Sequence, residues 1–305
     1  MTEQLEAKPI PLITWSNMAP PFKAHIYFQH REHFPFELDA DRYSPVNAWW
    51  LSEAALLAYA EEDFAVPVFK SAGFDDLCFF SGHSTQCYVA ANRKMAIVAF
   101  RGTECGFNRG PEAMAQFIAD LSVDVDIRMV DAQVDGKIHR GFHDALDEIW
   151  DDLFTCLKTL ASKNCALWLT GHSLGGALAK LTAGRHPKVN GIYTFGAPRI
   201  GNRKFTSAFP AKCFSVVNNN DMVPHLPTFP YVDLGELHYI DSSGAMHADI
   251  STWQRWKDEI QGHIKCMVEN ALNLDHGWSA TLPDGLKDHT PLLYAFHLWN
   301  NLIKA

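Results

Sequence analysis

The chain has 305 residues, a formal net charge of −9, 47% hydrophobic and 12% aromatic residues, and only 20% charged ones. Such a composition excludes a disordered chain and allows one large α/β domain or at most two modest ones. The acidic balance, without any Lys/Arg block, argues against nucleic-acid binding and against a polybasic membrane patch, and suits a neutral substrate.

No stretch approaches the ~18 apolar residues needed to span a bilayer. The start, MTEQLEAKPIPLITW, is acidic and carries prolines where a signal peptide needs a basic end and an apolar run. Seven cysteines (Cys78, Cys87, Cys105, Cys156, Cys165, Cys213, Cys266) are scattered without CxxC spacing, as expected of free thiols in small core positions. A cytoplasmic chain is therefore favoured, with signal-independent export as the alternative.

Residues 1–44 are rich in Pro, His and aromatics without clear periodicity, and read as an N-terminal extension packed over a domain at 45–305. His25, His30 and His33 cluster there. The HREHF run is not the HExxH spacing that aims two imidazoles from one helix face, so no metal site is assigned. Asn47–Glu61 has apolar residues at helical spacing and strong helix formers, predicting a buried helix. Three β-rich runs follow at Leu77–Phe80, Gln86–Ala90 and Met95–Phe100, the last two joined by an Asn92-Arg93-Lys94 turn into an antiparallel pair. Phe142–Ser162 has the spacing of an amphipathic helix.

Short apolar strands then alternate with helices. Ala166–Thr170, Ile192–Phe195, Cys213–Val217 and Leu237–Ile240 are predicted strands; Ala177–Arg185, Trp253–Leu272 and Pro291–Ile303 are predicted helices. This alternation predicts a mostly parallel central sheet with helices on both faces.

The chemistry centres on Gly171-His172-Ser173-Leu174-Gly175, a GxSxG run between an apolar strand and a helix. That context is the nucleophile elbow: a turn tight enough to strain the serine backbone and project its hydroxyl, with glycines where a Cβ would collide. A helix beginning at Leu174 aims N–H groups at the same point, stabilising negative charge beside Ser173. In this architecture the order is Ser, acid, His. Asp221, in a loop after the Phe214–Val217 strand, is the favoured acid, with Asp233 and Asp241 as competitors. His225, His238, His247, His263, His276, His289 and His297 follow it. His289 stands in a loop ahead of the last helix, where an imidazole reaches both partners; His276 and His247 come next. The Leu174 N–H is one expected oxyanion donor. Thr103, in Arg101-Gly102-Thr103 after a strand, is the other. The segment CGFNRGPEAMAQFIA reads either as an amphipathic flap over an acyl pocket or as a connector helix.

VAFRGTE, HRGFHDAL, LTGHSLGGALAKL, YTFGAPRIGN, NNNDMVPHLP and DHTPLLY, in this order, resemble the class 3 (fungal-type) triacylglycerol lipase family across most of residues 45–295. The resemblance implies an α/β-hydrolase fold with a helical lid at about 104–118. It places the serine of GHSLGG on Ser173, the aspartate of NDxVP on Asp221, the histidine of DHTPLLY on His289, and the oxyanion donors on Thr103 and Leu174. The expected activity is serine carboxylester hydrolysis of acylglycerols or related fatty-acyl esters through an acyl-enzyme, with an acyl ester lipid or a lipid–water interface as partner and no cofactor or metal. A phospholipase A1, a feruloyl-type esterase and an acyltransferase are alternatives on the same scaffold. A non-catalytic ligand-binding scaffold is the alternative of another class. Secreted fungal members carry signal peptides and disulfides, and this chain shows neither pattern. Its first 40 residues have no counterpart in the family, and no oligomeric state follows from the sequence.

Overall fold

A computed structural model describes residues 5–14, 17–103, 129–186, 188–272 and 283–304. The lid expected at about 104–118, Cys105 and His276 lie outside the described residues.

The helices are α1 (Pro45–Leu57), α2 (Glu62–Ser71), α3 (Arg140–Asp147), α4 (Trp150–Ser162), α5 (Leu174–Arg185), α6 (Arg203–Ser207), α7 (Thr252–Leu272), α8 (Asp284–Lys287) and α9 (Pro291–Leu302). Eight strands build the main sheet: β1 (Asp76–Ser81), β2 (Gln86–Ala91), β3 (Met95–Phe100), β6 (Ala166–His172), β7 (Gly191–Phe195), β9 (Cys213–Asn218), β11 (Glu236–Ile240) and β12 (Met246–His247), in the order β1-β2-β3-β6-β7-β9-β11-β12. The five strands from β3 to β11 pair in parallel, and the β1-β2-β3 edge and β12 are antiparallel. A small second sheet holds β4 (Met129–Asp131), β5 (Lys137–His139), β8 (Gly201–Asn202) and β10 (Tyr231–Val232).

Alternation along the strands splits the apolar side chains between two cores. Tyr88, Ile97, Trp168, Tyr193 and Phe214 face α1 and α9, while Val89, Val98, Leu169 and Ile192 face α3, α4 and α5. A sheet covered on both faces needs apolar residues at every strand position, which is why β3 is buried throughout. The predicted β2–β3 turn forms because the Asn92 side chain accepts the N–H groups of Lys94 and Met95 at 2.9 and 3.0 Å.

Two predicted helices differ from what is observed. The helix predicted at Asn47–Glu61 stops at Leu57, because the carbonyls of Tyr59 and Ala60 turn away to accept Arg101 Nη2 at 2.7 Å and Tyr88 Oη at 2.8 Å. The helix predicted at Phe142–Ser162 is two helices, α3 and α4. Thr85 Oγ1 takes the Ala145 carbonyl at 2.6 Å, and the Ile149 N–H bonds instead to Leu146 O at 3.2 Å. Glu148, at the break, caps the β1–β2 connection by accepting from the Ser84 and Thr85 amides at 2.7 and 3.1 Å.

The segment before α1 is tied to both ends of the domain. Lys8 and Asn300 exchange hydrogen bonds of 2.7 and 2.8 Å, the Ser44 N–H reaches Tyr193 Oη at 2.9 Å, and Phe28 is fully buried. His25 is 2.9 Å from Glu53, a carboxylate buried within α1. Burial works against the charged form of Glu53, but His25, Lys8 and the Phe28 amide together hold its pKa below the usual value.

Candidate active site

Ser173 joins β6 to α5 with φ 57° and ψ −129°, a conformation that costs a non-glycine residue of order 1–3 kcal/mol and persists only where its surroundings impose it. The surroundings are backbone. A Cβ at Gly171 would stand 2.2 Å from the Gly175 carbonyl carbon, and one at Gly175 would stand 2.2 Å from the Phe100 carbonyl oxygen. The turn therefore closes only with glycine on both sides, and the end of β3 lies against the start of α5.

The hydroxyl of Ser173 lies 3.0 Å from His289 Nε2, and His289 Nδ1 lies 2.9 and 2.8 Å from the two oxygens of Asp221. All three side chains are buried. A carboxylate can only accept, so Nδ1 carries the proton and Nε2 offers its lone pair to the Ser173 O–H. Asp221 accepts two further donors, Tyr294 Oη at 2.6 Å and the Val223 N–H at 3.0 Å. Gly196, at φ 58°, leaves the space: a Cβ there would stand 2.6 Å from Asp221 Oδ2 and 3.0 Å from His289 Nδ1. This chain of contacts can withdraw the serine proton and stabilise the resulting imidazolium.

The expected oxyanion residues flank it. Leu174 is the first residue of α5, whose leading N–H groups have no intrahelical partner. Thr103 follows β3, and its Oγ1 is buried without a hydrogen-bond partner among the described residues.

The remaining histidines and acids stand elsewhere. Asp233 pairs with Arg199 at 2.7 Å; Asp241 pairs with His247 at 2.7 Å and caps its own turn. His225 contacts Arg255, His238 stacks on Tyr43, His263 is 2.9 Å from Asp284, and His297 lies against Gly244. The structure separates His25 from His30 and His33. The latter two converge with Glu32, all ligand atoms lying within 4.8 Å of one another, as do those of His143, Asp144 and Asp147.

Sequence reasoning missed three residues of the site. Tyr294 grips the acid, and its signal was present as the last residue of DHTPLLY. His172 and Tyr59, whose Oη lies 2.8 Å from His172 Nδ1, form a second buried polar group beside the triad. The second position of GHS is unspecified in the elbow motif, and Tyr59 lies 113 residues before His172; no local signal joins them.

The sequence pattern of the class 3 lipases matches residues 97–231. A lipase of Caenorhabditis elegans is 34% identical over 189 residues, 58% of this chain and 50% of the relative. A Rhizomucor miehei lipase is 32% identical over 164 residues, 47% of this chain and 43% of the relative. This chain thus spans half or less of the length of these relatives. The solved structure of Rhizomucor miehei triacylglyceride lipase aligns at a TM-score of 0.50 and 26% identity, over 65% of this chain and 80% of that one. With the motif order and sheet topology described above, the chain is similar to the class 3 lipases over residues 97–231 and has the α/β-hydrolase fold.

Proposed function

We propose that this protein is a serine hydrolase of fatty-acyl esters, acylglycerols among them. The observation that carries the reading is the buried Ser173–His289–Asp221 hydrogen-bond chain, begun by a serine in a strained backbone conformation. In the proposed reaction Ser173 Oγ attacks the ester carbonyl while Nε2 of His289 takes its proton. Asp221 holds the imidazolium, and the N–H groups of Thr103 and Leu174 receive the negative oxygen of the tetrahedral intermediate. The imidazolium then protonates the departing alcohol, leaving an acyl-Ser173. Water, losing a proton to His289, attacks that acyl group, and the fatty acid leaves as Ser173 regains its proton.

A lipid–water surface as the place of action is supported by α7. Its polar face binds inward, through Arg255 to His225, Asp258 to Tyr239 and Ser242, and Glu259 O to Asn220. Its outward stripe is Trp253, Trp256, Ile260 and Ile264, exposed by 59%, 50%, 38% and 57%. The two indoles stack at 4.8 Å and Lys257 Nζ lies 5.0 Å from the Trp253 ring centre. Trp with a neighbouring Lys is the side-chain set that favours the headgroup level of a lipid surface. The helix also braces Asn219 and Asn220, two residues ahead of the triad acid.

Hydrolysis of p-nitrophenyl butyrate and p-nitrophenyl palmitate, with Ser173→Ala in parallel, tests the reading. Cleavage of both by the wild type alone supports a long-chain acyl site; cleavage of the butyrate alone replaces it with a short-chain esterase. Undiminished Ser173→Ala activity refutes the mechanism.

A further inference from the structure

His172 precedes the strained serine and is as buried as the triad, yet the proposed reaction gives it no step. Its Nε2 lies 2.8 Å from the backbone carbonyl oxygen of His289, and its Nδ1 lies 2.8 Å from Tyr59 Oη. A carbonyl can only accept, so Nε2 carries the proton. Nδ1 is then a lone pair that accepts the phenol O–H. Burial, reinforced by the neighbouring His289, pushes the His172 pKa well below its usual value, which keeps the ring in this neutral form.

Tyr59 holds the opposite side. Its backbone carbonyl accepts Arg101 Nη2 at 2.7 Å, and the Gly102 amide faces its phenol oxygen. The fit leaves no slack: a Cβ on Gly102 would stand 1.9 Å from Tyr59 Oη and 2.7 Å from the His172 carbonyl oxygen. A continuous polar path therefore runs from the Arg101-Gly102-Thr103 loop through Tyr59 and His172 to the main chain of His289. The two imidazole rings pack with centroids 4.5 Å apart.

We propose that Tyr59 and His172 are positioning residues that fix the oxyanion loop relative to His289, so that the Thr103 donor and the proton acceptor keep one geometry through the reaction. Neither side chain touches the reacting atoms. The pair acts by preorganisation: donors already in place lower the barrier without strengthening substrate binding. The inference rests on the ester-hydrolase reading.

Its test uses Tyr59→Phe, His172→Gln and the double variant, with thermal unfolding to establish that each is folded and His172→Asn as the substitute for any that is not. On p-nitrophenyl butyrate each single variant is expected to lower kcat about 10-fold or more while KM moves less than about 2-fold. A boronic acid, whose tetrahedral Ser173 adduct presents an oxygen to the same donors, should weaken by a similar factor. The double variant should lose little more than the worse single, because either change cuts the same path. Unchanged kcat and boronate affinity in folded variants overturn the proposal, as do losses that multiply in the double. Histidine 15N spectra of the wild type supply a readout independent of turnover: a neutral Nε2–H ring is expected for His172, and an Nδ1–H or charged ring overturns the network. A wild type that cleaves no ester, with His172 in the expected form, instead refutes the functional reading and removes the positioning role with it.

Discussion

Helices α1 and α7 both carry apolar residues at helical spacing, and they use them in opposite ways. In α1 every residue from Asn47 to Leu57 is buried, wedged between the sheet and α9. In α7 Arg255 and Asp258 bond inward to the protein, while Trp253, Trp256, Ile260 and Ile264 are exposed. Periodicity establishes that a helix has an apolar face; what surrounds the helix decides where that face points. α1 meets mainly apolar strand residues, with Thr170 Oγ1 donating to the Leu51 carbonyl at 3.0 Å, whereas α7 lies over a loop of Asn219, Asn220 and His225, whose amides and ring need polar partners.

Substitutions in the two helices should act differently. Trp49→Ala in α1 should cost about 3–5 kcal/mol, because the indole is fully buried and leaves a cavity. Chemical denaturation measures this, and a loss below about 1 kcal/mol would contradict the packing described. Trp253→Ser with Trp256→Ser should abolish binding to phosphatidylcholine vesicles, read by co-sedimentation, while p-nitrophenyl butyrate hydrolysis stays at the wild-type rate. Retained vesicle binding would remove α7 from the lipid-facing surface. The same pair should change folding stability by no more than about 0.5 kcal/mol, as expected for exposed positions.

The buried titratable groups give a pH profile of defined sign. His172, His186, His225 and His238 all have lowered pKa values, with burial the largest cause in each. Below the ordinary histidine range the unfolded chain takes up protons that the folded chain refuses, so stability falls as pH drops from about 6.5. The fully buried His172 alone contributes a slope of about 1.4 kcal/mol per pH unit. Asp288 opposes this. Burial, then the nearby Asp284, pushes its pKa up to about 8, so the folded state holds a proton that the unfolded state loses. Its contribution falls as pH rises from about 4 to 8. Asp288→Asn, whose amide oxygen can still accept the Asn220 N–H, should therefore raise Tm more at pH 8 than at pH 5. Equal shifts at both would mean that the carboxyl is charged throughout.

Much of this site was legible because its determinants are local. Ser173 needs a glycine on either side and a strand and helix around it, all within a dozen residues, and the observed φ of 57° is what that context demands. Order and loop position favour Asp221 and leave His289 ahead of His276 and His247 until the family resemblance singles it out; both lie within hydrogen-bond reach of their expected neighbours. What stayed hidden was set by distant partners. The break between α3 and α4 depends on Thr85, a residue of the β1–β2 connection that takes the Ala145 carbonyl. The outward face of α7 depends on what lies beneath it. Glu53 sits within the predicted buried helix, and its partners, His25 and the Phe28 amide, lie 28 and 25 residues away, beyond any local pattern. The Tyr59–His172 contact joins residues that no motif associates.

Activation of Ser173 by His289 is tested by the rate and site of covalent labelling by a fluorophosphonate, followed by mass spectrometry of the intact protein and its peptides. One adduct, on Ser173, is predicted, forming more slowly by about 100-fold or more in His289→Ala. An adduct on another residue, or equal rates in wild type and His289→Ala, would contradict the account.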